Sequence, residues 1–192
     1  MTIMIIGLLI FLGSHSVRIF AENWRQQQVA KLGLTNWKLA YSAVSLVGLA
    51  IAIYGFGQMR FDPIYIWFPP VGLRHAVALL MLPAFIMLVA AYVPRNAIKA
   101  KLGHPMMLSV KIWALAHLLV NGRLGDIIFF AAFLVWAILA FKAAKQRDRI
   151  NPPAVVATST PATIATVIIG VVAYVLFAFY LHTLLIGVPV FG

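Results

Sequence analysis

Five histidines, four acidic residues and no cysteine make up the chemically versatile inventory of this 192-residue chain. The histidines are His15, His75, His104, His117 and His182, and the acids are Glu22, Asp62, Asp126 and Asp148. Without thiols there is no disulfide, no thiolate-bound zinc or iron, no iron–sulfur cluster and no covalently attached c-type haem. So few carboxylates leave little for a carboxylate-bridged metal, a buried acid–base pair or a carboxylate proton relay. A bound metal must therefore rely mainly on imidazole.

The elements that carry these residues are apolar. Hydrophobic residues form 64% of the chain, far more than a core of this size can bury, which is the composition of a membrane protein. Six stretches approach the roughly 20 residues that cross the hydrocarbon: about 2–20, 39–59, 75–93, 106–120, 124–141 and 162–188. The predicted fold is all-α, a polytopic transmembrane bundle of six membrane-spanning helices forming a single domain over 1–192. Pro83 is expected to kink the third helix. The first stretch lacks a basic n-region and a small-residue cleavage site, so it reads as a retained span, not a signal peptide. Residues 151–160, rich in Pro, Ala, Ser and Thr, read as a loose connection. No internal repeat is visible, and so no inverted-repeat transporter signature.

Charge sets the orientation. Of the 15 Lys and Arg, 12 fall between, or near the facing ends of, spans one and two, three and four, or five and six. Only Arg60, Arg74 and Arg123 fall in the alternate loops. The positive-inside rule then places both termini outside the cytoplasm. The net charge of +11 is spread over three short loops as topology demands, which argues against a nucleic-acid partner. The partner implied by composition is the lipid bilayer. Trp24, Trp37, Tyr65 and Trp67 read as interfacial anchors.

Within that frame His15 and His117 stand apart, because both lie inside spans. His15 precedes Arg18 by three residues and shares its helix face. Trp113, His117 and Asn121 follow at helical spacing and should point into the bundle. Counted from the basic anchors Arg18 and Lys111 at 1.5 Å per residue, the two imidazoles come out roughly 5 and 9 Å inward, at about one level. Two imidazoles at one level on different helices can be axial ligands of a haem. Equally, each can donate to a backbone carbonyl and simply brace helices. His75 and His182 read as interfacial. His104, in Gly103-His104-Pro105 with Lys99 and Lys101 just before it, could hold an anionic group at a helix N-terminus, or simply begin that helix.

Longer blocks carry a resemblance. Phe11-Leu12-Gly13-Ser14-His15-Ser16-Val17-Arg18, Trp37-Lys38-Leu39-Ala40-Tyr41-Ser42, Gly103-His104-Pro105, and the run from Lys111 through Trp113, His117 and Asn121 to Gly122 resemble the NnrU family of bacterial integral membrane proteins. So do Arg74-His75 followed by Pro83, Ala91-Tyr92-Val93-Pro94, and Leu181-His182 with Gly187-Val188-Pro189-Val190. The blocks span nearly the whole chain. The resemblance implies a multi-pass protein of the bacterial inner membrane linked to nitrite and nitric oxide metabolism in denitrification.

That family is related to the 15-cis-zeta-carotene isomerases, membrane enzymes that carry haem b. Their ligating histidines lie in an HSG and an AHT segment, similar here to His15-Ser16-Val17 and Ala116-His117-Leu118. The relationship implies haem b as cofactor and His15 and His117 as its metal ligands; Arg18, His104 and Asn121 are, by their placement, the further candidates for cofactor binding. Val17 and Leu118 depart from the isomerase pattern, so ligation carries over better than isomerase activity. Alternatives are a haem-dependent isomerase or reductase of a lipophilic small molecule, a methyltransferase using S-adenosylmethionine, and a membrane assembly factor with no enzymatic role. Leu102-Gly103-His104-Pro105 resembles the Arg-His-Pro segment of the isoprenylcysteine carboxyl methyltransferase type, with Gly103 in place of Arg. The matching acidic and aromatic region offers only Asp148 and Phe141.

Overall fold

A computed structural model describes residues 1–191, and every regular element among them is helical. The chain begins with α1, Thr2–Phe20. A polar helix α2 follows, Glu22–Leu32, with no buried residue. Its first turn is fastened by Arg25 Nη2 to Glu22 Oε1 at 2.6 Å. The guanidinium holds the Glu22 carboxyl below its ordinary pKa. Gly33, at φ +80°, allows the sharp turn into α3, Leu34–Gln58. The segment between the first two spans is therefore helical where hydropathy alone reads a loop. An apolar stripe marks helices that bury a face, and α2 buries none. Trp24 of α2 meets Trp37 of α3 edge-on at 5.7 Å.

After α4, Leu73–Tyr92, which runs on through Pro83, come the short α5, Ala97–Leu102, and α6, Pro105–Val120. Helix α7 covers Leu124–Ile150, nine residues beyond the expected end of its span. Lys142, Lys145, Arg147 and Arg149 thus lie on a helix that projects past the apolar run. Helix α8, Thr160–Leu176, continues through a π-helical turn at Phe177–Leu181 into α9, His182–Ile186.

Five of these are long and apolar enough to span a bilayer: Thr2–Phe20, Leu34–Gln58, Leu73–Tyr92, Leu124–Ile150 and Thr160–Ile186. The expected fourth span, α6, has 16 residues, about 24 Å of helix against a hydrocarbon core of about 30 Å. Apolar side chains face outward from the long helices, with Leu9 69%, Leu79 72% and Leu184 78% exposed. Water would not tolerate that surface on several helices at once. The chain is a multi-pass membrane protein.

The helices pack in a row, α3 on α1, α1 on α7, α7 on α6, α6 on α4 and α4 on α8. At the α1–α3 seam the backbones touch. A Cβ on Gly7 would meet the Ala52 backbone, and one on Gly55 would meet the Met4 backbone. Small residues allow this close approach, the usual basis of helix association where no hydrophobic effect drives it. The α6–α7 seam is filled instead by Trp113, Phe129, Phe130 and Phe133, with centroids 5.0 to 6.5 Å apart. Ser109 adds a buried bond, its hydroxyl donating to the Ala84 carbonyl of α4 at 2.7 Å. The loop after α3 lies over the α6–α7 turn. The amides of Ile66 and Trp67 donate to the Gly122 carbonyl at 2.8 and 3.3 Å.

Candidate functional site

His15 and His117 are held in the same way. The Nδ1–H of His15 donates to the Phe11 carbonyl at 2.8 Å, and that of His117 to the Trp113 carbonyl, also at 2.8 Å. A carbonyl can only accept, so each neutral ring carries its proton on Nδ1. Nε2 is left with a lone pair, the arrangement in which an imidazole serves a metal, with the carbonyl fixing tautomer and orientation. Both bonds reach back one helical turn, so they follow from the helix itself.

Around His15 lie Phe11 at 4.3 Å, Tyr41 at 5.2 Å and Trp136 edge-on at 5.8 Å. Trp136 Nε1 is buried and donates to nothing, so an unused hydrogen-bond donor adjoins the imidazole. The hydroxyls of Ser14 and Ser45 join α1 to α3 here, 3.1 Å apart. Around His117 lie Trp113 at 5.3 Å and Phe130 at 4.6 Å. The predicted stripe of Trp113 and His117 does face the bundle. Asn121, expected as a partner for an imidazole N–H or for a cofactor, instead donates to the His117 main-chain carbonyl at 2.8 Å and ends the helix.

The two rings are not at one level. Helix α7 serves as a common ruler, and His15 touches it at Trp136 while His117 touches it at Phe130. Six residues along a helix correspond to about 9 Å. Counting inward from basic anchors assumes untilted helices that end in one plane, and this bundle does not meet that condition. Phe133 stands between the two sites, 5.8 Å from Phe11 and 5.3 Å from Trp113. One metal held by both histidines needs the two Nε2 on the order of 4 Å apart, twice a metal–imidazole bond of about 2 Å. Each histidine fits an axial ligand by its chemistry. As packed, the pair does not close on a single iron.

The other expected residues disperse. Arg18 is exposed at the end of α1, where its carbonyl accepts from Arg147 Nη1 at 3.2 Å. His104 caps nothing with its side chain; its Nε2 lies 2.8 Å from Asp148 Oδ2 of α7. Lys99, expected beside it, turns back to the Ala91 carbonyl at 2.8 Å. An anion site at the mouth of α6 built from His104 and Lys99 is therefore not assembled. His75 is exposed on the first turn of α4, and His182 Nδ1–H donates to the Val188 carbonyl at 2.6 Å.

Composition and spacing do not mark Asp126, whose side chain is only 4% exposed. Arg123 grips it from both sides, Nε to Oδ2 at 2.6 Å and Nη2 to Oδ1 at 3.0 Å. The i, i+3 spacing at the start of α7 was the available signal. Trp136 and the Ser14–Ser45 pair were likewise unmarked, because an indole or a serine in an apolar helix is ordinary until a neighbour is known.

No curated protein of known function and no solved structure matches the chain. The family comparison does: residues 3–190 match the family described as NnrU protein. That match covers α1 through α9, including both internally anchored histidines, and the chain belongs to the NnrU family.

Proposed function

We propose that this NnrU-family protein binds haem b within its helix bundle, through His15 and His117, and works in the handling of nitrite and nitric oxide at the bacterial cytoplasmic membrane. The observation that carries the reading is the matched pair of Nδ1–carbonyl anchors, which leaves two Nε2 lone pairs among aromatic walls. Without cysteine the group is held non-covalently. Arg18, one turn toward the cytoplasm from His15, is a cation on that face for a propionate. Trp136 Nε1 is a second donor for the site. When bound, haem b supplies one-electron exchange or, with one imidazole released, an open iron position. Joint ligation requires the Phe133 ridge to open, so the test must read each histidine by itself.

The measurement is haem content and absorption spectrum of protein purified from haem-supplied cells. His15→Ala and His117→Ala should each lose haem or change its spin state, and His182→Ala should keep both. If both single variants retain the wild-type spectrum, the histidines only brace helices. Wild-type protein that folds without colour in haem-replete cells favours a membrane assembly factor.

A second reading has its own observation. An apolar groove of about 340 Å³ runs between α1 and α7, lined by Leu8, Leu9, Leu12, Gly13, Ser16 and Ala132 beside the His15 turn. Its chemistry suits a lipophilic chain, and with it an isomerase or reductase working on a membrane-dissolved substrate. The methyltransferase alternative needs His104 free for its cofactor, whereas Asp148 holds that ring.

The topology belongs to the same proposal: α6 completes six spans, and both termini lie in the periplasm. The charge partition supports it. A reporter active only in the cytoplasm should work in the segment after Lys145 and be silent at the C-terminus. The opposite pattern overturns the orientation.

A further inference from the structure

We propose that Lys111 and Lys145, which converge on the Phe141 ring, together with the adjoining exposed Lys142, bind the phosphate of an anionic phospholipid headgroup. The site is independent of the haem reading. It draws on two helices distant in sequence. Lys111 reaches from α6 to place Nζ 3.9 Å from the centroid of the Phe141 ring on α7. Lys145, one turn along α7, places its own Nζ 5.7 Å from the same centroid. Lys145 Nζ also lies 3.1 Å from the point a Cβ on Gly103 would occupy, so the glycine leaves the ammonium its place under the start of α6. Lys142 adjoins Phe141 in sequence and is exposed.

The charge balance is uneven. Asp148 is the acid on this stretch of α7; its Oδ2 lies 2.8 Å from His104 Nε2 and 3.8 Å from the Gly103 point that Lys145 Nζ approaches, so one carboxylate, already bonded to an imidazole, stands among three ammonium groups. Among the described residues none of the three lysines forms an ion pair with a carboxylate. A ring face attracts a cation but does not neutralise it. Ammonium groups held toward one ring repel each other, and an anion between them removes the repulsion.

Topology by itself asks only that positive charge stay on one side, and free lysines meet that demand by extending toward water. Here the Lys111 stem brings its charge onto the neighbouring helix instead. The height is also distinctive. Phe141 and Lys142 mark the point on α7 where the apolar run gives way to basic residues. Lipid phosphates lie at that boundary, and basic pockets between helices on the cytoplasmic side, where the proposed topology puts this end of α7, suit phosphate headgroups.

The experiment is native mass spectrometry of the full chain in detergent, titrated with phosphatidylglycerol and, separately, with phosphatidylcholine. Wild type should retain phosphatidylglycerol at least tenfold better. At roughly fivefold per lysine near a lipid surface, Lys145→Gln should lose about fivefold and Lys111→Gln/Lys145→Gln about 25-fold. Lys111→Arg/Lys145→Arg, which keeps both charges, should recover most of the binding. Should the double variant fail to fold, Lys145→Gln alone decides the matter. Equal loss in Lys31→Gln, on the exposed polar face of α2, would show a general charge effect and overturn the site. Undiminished binding in Lys145→Gln would overturn it as well. Displacement of the lipid by millimolar inorganic phosphate would assign the site to a soluble phosphate compound and overturn the lipid source.

Discussion

At the glycine contacts between α1 and α3 there is no room for a side chain, and between α6 and α7 there is little else. Gly7 and Gly55 bring one backbone against the other, while Trp113, Phe129, Phe130 and Phe133 keep α6 and α7 apart with interlocking rings. The first seam is backbone packed on backbone. It can admit no planar group without separating the helices. The second is made of rings on rotatable bonds, and a flat aromatic guest could replace one of them at modest cost. His117 lies in that second seam. His15 lies where the first has ended, past the Gly48–Phe11 contact, with its ring among Phe11, Tyr41 and Trp136. A rigid half and a yielding half thus meet at α7; His117 lies within the yielding one, and His15 sits between α1, α3 and α7.

Steric overload of the tight seam should have the largest effect. Gly55→Leu places a branched side chain where the Met4 backbone lies, and backbone cannot step aside as a side chain can. The expected loss exceeds about 4 kcal/mol, the range reserved for severe defects. It should appear as lost yield and a much lower unfolding midpoint in detergent. Gly57→Leu provides the contrast, since nothing lies within 4 Å of a Cβ there. If the two variants unfold together, the seam is not the rigid element described.

A smaller effect is expected in the ring-filled seam. Phe133 is half-buried, so Phe133→Ala should cost about 2–3 kcal/mol, below the usual range for a fully buried phenylalanine. It also removes the ring between the His15 and His117 sites. Haem retention should then equal or exceed that of wild type despite the lower stability. Stability and haem falling in parallel would mean that Phe133 is part of the site's wall and not its obstruction.

Much of this was legible in residue order. Trp113 and His117 facing inward follows from their spacing on an apolar helix, and so do the Nδ1 bonds, which span a single turn. The polar α2 was not legible as helix, because no hydrophobic stripe marks an element that buries nothing. The equal depth of His15 and His117 failed for a related reason: helix tilt is set by neighbours, not by counting residues from an anchor.

Composition alone determined that the chain lives in lipid, since that much apolar surface has no other solvent, and the distribution of Lys and Arg carries the expected orientation. The tautomers of His15 and His117 rest on local bonds, each spanning a single helical turn. Tertiary structure alone decided that His104 belongs to Asp148, 44 residues away, and that Lys111 leans on Phe141. It alone put α7 between α1 and α6. Which helices become neighbours depends on the fit of whole faces, glycine against backbone and ring against ring. That fit is a property of pairs of elements and is written in neither one of them.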